Sequence, residues 1–364
     1  MPDDAAPAHP LGLTITVSIV NYGGSAMILA ALPSLLTELK RFRGHDVVIV
    51  DNASPDGDAE RLEAGLRAFA GEAVRLIHAP VNGGFAAGNN IVFADVLARA
   101  QRPNAVFLLN PDAEVRPGAV EALAATLVDK PRAATVGPKL ENPDGSIMQG
   151  AFNYPSPLGE FARNTGLSVV RRLAPVMAAV GDDPVRVDWV TGAAQLIRTE
   201  AIEAVDGMDA AYFLYFDETD MARRLQRRGW EAWHVPAATV AHIAGATTGV
   251  QDGKAARGRM PRYWFESWLR YFIRHEGHAR ARLAALGFLA GLIVQVLQRR
   301  LRGRRVELPQ RYVRDVALAC LFGHSRVAHR PRVGCSAVDP ALYAAPAAAP
   351  ASAPASARAE EPAA

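Results

Sequence analysis

Asp217, Glu218 and Asp220 put three carboxylates within four residues. Like charges this close repel, so burying them together serves stability poorly. One of them, kept ionised, can act as a general base and take a proton from a hydroxyl. Acids also gather at helix starts, where they meet the positive end of the dipole, and both readings can hold at once. Another acid stands in Asn110-Pro111-Asp112, directly after the apolar run VFLL. Hard divalent cations such as Mg²⁺ or Mn²⁺ take oxygen ligands. Asp112 offers two oxygens, although Asn-Pro-Asp is also an ordinary loop turn. His242 follows the short run ATVA. A neutral imidazole can complete a coordination shell, while a lone histidine is more often structural. Asp51 and Asn52 close the run VVIV. A carboxylate and an amide there can hydrogen-bond a base and a ribose, or cap a turn or helix.

Glycines mark a further segment, NGGFAAGNN, with Gly83, Gly84, Phe85, Gly88 and Asn89. Glycine lets backbone approach a ligand closely or turn tightly. The G-x-G-x-x-G spacing of a dinucleotide fingerprint is absent. Trp189, Thr191 and Gly192 precede the acidic group. The tryptophan suits stacking on a sugar and equally suits a core.

Regular elements must bring these residues together. From Leu13 the chain alternates apolar runs (LTITVSIVNY, DVVIVDNAS, AVRLIHAP, AVFLLNPDAEV) with helical spacing (MILAALPSLLTEL, AERLEAGLRAFA, GFAAGNNIVFADVLARA). Continuous rather than alternating apolar runs predict a parallel sheet covered on both faces. Asn21, Asp51, Asn52, Asn110 and Asp112 all follow strand ends, the side on which open α/β sheets bind ligands. A looser stretch begins near Lys139. Strand-like WVTGAAQLIR, helix-like TEAIEAV and MARRLQRRG, and two short strands, WEAWHVP and ATVAHIA, come after it.

Seven segments in order, VSIVNY, VDNAS, NGGFAAGNN, LLNPDAEV, VTGAAQLIR, FLYFDETD and HVPAATVAH, resemble family 2 glycosyltransferases, in particular their rhamnosyltransferase-like branch. The likeness covers residues 13–250 and weakly the aromatic-basic stretch that follows. It implies the GT-A fold: a Rossmann-like, mostly parallel central sheet with helices on both faces, here with a helical C-terminal appendage. It implies a nucleotide-sugar donor (dTDP-rhamnose or a UDP-sugar), a glycan or lipid-linked glycan acceptor, and Mg²⁺ or Mn²⁺. Residue by residue, it puts Val20, Asn21, Asp51, Asn52, Gly84, Phe85, Asn89, Asn110 and Asp112 at the donor. Asp112 and His242 become metal ligands. Trp189, Thr191 and Gly192 line the acceptor and sugar pocket, and Asp220 is read as structural or facing that acceptor pocket. The base falls on Glu218 or, since the order Asp-Glu departs from relatives with Glu-Asp or Asp-Asp, on Asp217. One displacement would invert the anomeric centre. The first position of the family's D-x-D-type signature is Asn110 here.

Composition bounds these readings. The chain has 364 residues, half of them hydrophobic, enough for one large domain and an appendage. A net charge of +3 does not call for nucleic acid. Cys320 and Cys335 form no zinc pattern, and a reducing cytoplasm is the default. Residues 1–12 lack the basic start of a signal peptide and read as disordered, as does the Ala/Pro-rich tail from 338 to 364. A sugar nucleotidyltransferase would show a glycine- and arginine-rich first loop with a lysine, and NYGGSAMILAAL has neither base. A non-catalytic scaffold is the remaining rival. Residues 251–337 are aromatic and basic, with an apolar run from Leu283 to Leu297 beside Arg299, Arg300, Arg302, Arg304 and Arg305. That run is shorter than the roughly 20 residues a spanning helix needs. It either packs on the main domain or touches the cytoplasmic face of a membrane peripherally.

Overall fold

The computed structural model describes residues 12–243, 250–251, 254–255, 258–304, 308–323, 327 and 330–343. The lead-in at 1–11, Arg305 and the tail from 344 lie outside these residues.

Strand β1 (Thr14–Asn21), helix α1 (Ser25–Leu39), β2 (Gly44–Asp51), α2 (Asp58–Leu66), β3 (Val74–His78), α3 (Gly84–Ala98) and β4 (Ala105–Leu109) follow the predicted alternation. They pair in the parallel order β3-β2-β1-β4. Burial on both faces is visible residue by residue. Ile15, Val17 and Ile19 join Ile28, Leu32 and Leu35 of α1 in one core layer. Val48, Val50, Val106 and Leu108 face the other way, onto Val92, Phe93 and Val96 of α3.

Beyond β4 the sheet changes character. The run AVFLLNPDAEV is not one strand: after β4 it breaks at Asn110-Pro111-Asp112, and Ala113–Val115 forms a separate β5 at the far edge of the sheet. Proline cannot donate to a ladder, so the chain turns there. Helix α4 (Ala119–Asp129) leads into β6 (Ala133–Glu141), and small strands β7 (Ile147–Met148) and β8 (Ala151–Phe152) follow. Next come α5 (Pro157–Thr165), α6 (Ser168–Leu173), β9 (Val185–Val187), β10 (Trp189–Val190), β11 (Ala194–Arg198), α7 (Thr199–Val205) and α8 (Asp217–Gln226). WEAWHVP and ATVAHIA, expected as two strands, are one, β12 (Glu231–His242), with an irregularity between Val235 and Thr239 that absorbs Pro236. β11 is antiparallel to both β4 and β6, and β12 runs parallel to β6 but antiparallel to β5. The sheet is therefore parallel in the first half and mixed in the second.

The appendage centres on α9 (Arg262–Leu301), interrupted at Gly277, and α10 (Tyr312–Val316). Trp264, Phe265, Trp268, Phe272 and Phe288 make a third core with Tyr212. The chain then returns to the main domain. Arg270 and Asp209, both almost wholly enclosed, pair at 2.6 Å, and Arg270 also holds the carbonyls of Arg330 and Pro331. Residues 338–343, expected as tail, are folded: Val338, Leu342 and Tyr343 pack against the α3–α7 layer.

Candidate active site

Register builds the first half of the site. Parallel pairing of β1 with β2 sets Asn21 beside Asp51. The Asn21 amide lies 3.0 Å from Asp51 and 2.9 Å from Asp58, and its oxygen accepts from Gly24 N–H. Asp51 is 2% exposed and also accepts from Ser54 N–H. Burial would raise the Asp58 carboxyl, but hydrogen bonds from Ser25 and Asn21 outweigh it and hold it low. Asn52 donates to Asn82 and to the Gly84 carbonyl and accepts from Gly83 N–H. Asn89 accepts from Ser18 and donates to the Phe85 carbonyl. Val20 packs on Gly88, where a Cβ would come within 2.6 Å of it. Asn21, Asn52 and Asn89 are thus spent on bracing the strand ends and the Gly84 turn, and Asp51 stands inside that frame. Asp58 does the same work and was missed from sequence, since an acid at a helix start reads as a dipole partner.

Antiparallel pairing of β12 with β5 sets His242 opposite Ala113. His242 Nε2 consequently stands 3.2 Å from an Asp112 oxygen and 3.3 Å from the Asn110 amide nitrogen. Both Asp112 and His242 are 8% exposed. Two groups that prefer to accept face each other here, an arrangement satisfied by a shared cation or by a proton on the imidazole. Among the described residues no third histidine, cysteine or acid joins them. Asp112 and His242 are the residues that would hold a hard cation at this point.

Asn110 N–H donates to the Ala193 carbonyl, which brings the third part of the site alongside. A Cβ on neighbouring Gly192 would lie 3.2 Å from the Phe85 ring and 3.8 Å from Glu218 Cβ. Gly192, Phe85 and Glu218 therefore share one corner. Thr191 donates its backbone N–H to Gly150. Trp189 stacks on Phe152 with centroids 4.4 Å apart and donates from its indole to the Asn153 carbonyl, so one ring face is already covered. The Gly84 turn touches the segment leading to α8: Phe85 N–H donates to the Phe213 carbonyl, and a Cβ at Gly84 would fall 1.9 Å from that oxygen.

Tyr215 (φ 67) and Phe216 (φ 65) are both left-handed immediately before α8. Such backbone costs about 1–3 kcal/mol per residue and persists where surrounding packing enforces it. It aims the helix start, with Asp217 and Glu218 in the first turn. Burial, then the adjacent Glu218 carboxylate, push the Asp217 carboxyl well above its usual range. Asp217 Oδ2 and Glu218 Oε2 have no hydrogen-bond partner.

Asp220, expected to be either structural or facing the acceptor pocket, is enclosed at 1% exposure, which fits the structural reading. Its oxygens are taken by His275 Nε2 at 2.7 Å, Arg224 at 2.7 Å and Tyr212 OH at 3.3 Å. Burial opposes ionisation, but the His275 hydrogen bond and the Arg224 charge hold the carboxyl at about 2. Asp220 clamps α8 to α9, and Arg224 continues the clamp to the carbonyls of Val205 and Gly207. His275 lies 55 residues from its partner, and no spacing in the sequence announces it.

N-acetylglucosaminyl-diphospho-decaprenol L-rhamnosyltransferase of Mycobacterium tuberculosis is 30% identical over 302 residues, covering 77% of this chain and 92% of that protein. Rhamnosyltransferase WbbL of Escherichia coli K12 is 31% identical over 88 residues, 24% of this chain and 31% of that one. A crystal structure of GalNAc-T7 with UDP, GalNAc and Mn²⁺ superposes with a TM-score of 0.54 at 14% identity, over 88% of this chain and 58% of that one, and shares the GT-A fold. Residues 11–260 match the family model for glycosyltransferase-like family 2, and with 250 of 364 residues matched the chain belongs to that family and is a glycosyltransferase.

Proposed function

We propose that the chain is an inverting, divalent-metal-dependent transferase that moves rhamnose from dTDP-rhamnose onto a hydroxyl of a lipid-linked glycan intermediate. The Mycobacterium tuberculosis relative, a rhamnosyltransferase named for a diphospho-decaprenol acceptor, supports the transferred sugar and the acceptor. Thymine and uracil present the same N–H to Asp51, so a UDP-hexose is the donor to test beside it. Such a reaction belongs at the cytoplasmic face of the inner membrane, where a soluble donor meets a lipid-held acceptor.

The observation that carries the proposal is the corner at Gly192, where Phe85 of the donor turn and Glu218 of α8 meet beside Asn110. Asp112 and His242 would hold Mg²⁺ or Mn²⁺, which when bound offsets the charge of the departing diphosphate. The amide frame around Asp51 positions the nucleotide. Burial and the adjacent Glu218 carboxylate push the Asp217 carboxyl up, and it is Glu218 that shares the corner with Gly192 and Phe85, so Glu218 is the base. Glu218 accepts the proton of the acceptor hydroxyl. That oxygen bonds to the anomeric carbon on the face opposite the diphosphate, the bond from that carbon to the phosphate oxygen breaks, and configuration inverts.

Purified protein incubated with dTDP-rhamnose, an N-acetylglucosaminyl-diphospho-polyprenol and Mn²⁺ should yield a rhamnosylated lipid of inverted anomeric configuration by NMR. Retained configuration, or transfer undiminished by EDTA, would refute the mechanism. Transfer from a UDP-hexose alone would reassign the donor.

A further inference from the structure

Helix α9 changes character at Gly277 (φ 82, ψ 168). Before it, the aromatic side chains point inward. After it, Ala281, Ala284, Ala285, Phe288 and Leu292 are buried. They lie against α5 so closely that a Cβ at Gly287 or Gly291 would sit 2.7 Å from the carbonyls of Pro157 and Phe161. On the other side Leu283 (55%), Leu286 (53%), Ile293 (58%), Leu297 (54%) and Leu301 (88%) are exposed. At 100° per residue these five fall within an arc of roughly 80°, directly opposite the buried face. A helix on a soluble domain carries polar residues there. This one is apolar on both sides, and the outer stripe runs the length of the segment, well beyond single scattered side chains.

Charge indicates the occupant. Between Glu276 and Glu307 the chain has seven arginines and no acid. Arg282 and Arg300 flank the stripe, and with Arg299 and Arg302 they have no carboxylate partner among the described residues. A second copy of the chain is disfavoured, because a two-fold contact would set like-charged flanks together. Crossing a bilayer is disfavoured too. The uncharged segment from 283 to 298 spans roughly 24 Å against a hydrocarbon core of about 30 Å. Its inner face is also committed to α5.

We propose that the second half of α9 is an interfacial helix lying in the plane of an anionic lipid surface. The leucine stripe enters the boundary between headgroups and acyl chains, and the arginines meet lipid phosphates. The face has this form whichever sugar is transferred.

The test is co-sedimentation of the full-length protein with phosphatidylcholine vesicles, with and without phosphatidylglycerol. Wild type should bind the anionic vesicles and be released by high salt. Leu286→Asp combined with Ile293→Asp should lower the partition constant on the order of 100-fold. Arg299→Gln combined with Arg300→Gln should lower it on the order of 10-fold on anionic vesicles only. Both sites are on the surface, so circular dichroism and transfer to a detergent-soluble acceptor should be unchanged. Equal vesicle binding by wild type and the Leu286/Ile293 variant would overturn the proposal. So would a wild-type dimer in light scattering that the same variant dissolves without any vesicle binding, or membrane association that survives alkaline carbonate.

Discussion

The two walls of the site are built on opposite terms. On the wall proposed to hold the donor, the side-chain polar atoms of Asn21, Asn52 and Asn89 have protein partners 2.7–3.1 Å away. On the α8 wall Asp217 Oδ2 and Glu218 Oε2 are left without partners, and two consecutive residues, Tyr215 and Phe216, are left-handed. A buried polar atom without a partner costs about 1–3 kcal/mol. One wall is thus internally satisfied, as the proposed donor recognition requires. The other leaves carboxylate oxygens unpaired, as the proposed base requires, and the Asp220–His275–Arg224 clamp holds its helix in place.

Glu218→Gln breaks the contrast most sharply. It keeps the shape of the α8 wall while removing the proposed base, and kcat should fall about 10²–10⁴-fold with little change in donor KM. Asp217→Asn should fall less, because burial already pushes that carboxyl up toward the neutral form the amide mimics; a larger loss in Asp217→Asn would exchange the two roles. Gly84→Ala joins the walls by collision, since its Cβ would meet the Phe213 carbonyl in a left-handed turn. Denaturant titration should show a loss of roughly 2–4 kcal/mol.

Asp220→Asn tests the clamp through pH. The carboxyl is held at about 2 in the folded chain against 3.8 for the free group. A depressed carboxyl contributes stability that is fully present above the unfolded value and is lost as pH falls through the folded one. Wild type should therefore exceed the variant by about 2 kcal/mol at pH 6. That margin should shrink as pH falls from about 4 toward 2, and a margin constant across that window would show the clamp is not ionic. Asn52→Ala is expected to be the mildest. It should remove about 1–2 kcal/mol and raise donor KM without touching kcat at saturation.

The contrast also explains what could be read in advance. Strands β1 to β4 are continuous apolar runs ending in polar residues, and each falls where its run predicts. The far half is carried by pieces too short or too interrupted to signal themselves: β5 has three residues, and its pairing with β12 is what brings His242 to Asp112. Asn21, Asn52 and Asn89 were visible as residues of the right type. Their use as braces depends on partners such as Asp58, Asn82 and Ser18 that only the fold supplies. The same holds for Asp220, whose partner comes from α9.

Donor binding measured apart from chemistry is the most direct test of this division of labour. Thermal stabilisation by dTDP-rhamnose or a UDP-sugar, with and without Mn²⁺, should be recorded for wild type, Asp112→Ala and Glu218→Gln. The predicted result is metal-dependent stabilisation of wild type, an equal shift in Glu218→Gln, and none in Asp112→Ala. Stabilisation independent of metal, or lost in Glu218→Gln while kept in Asp112→Ala, would contradict it.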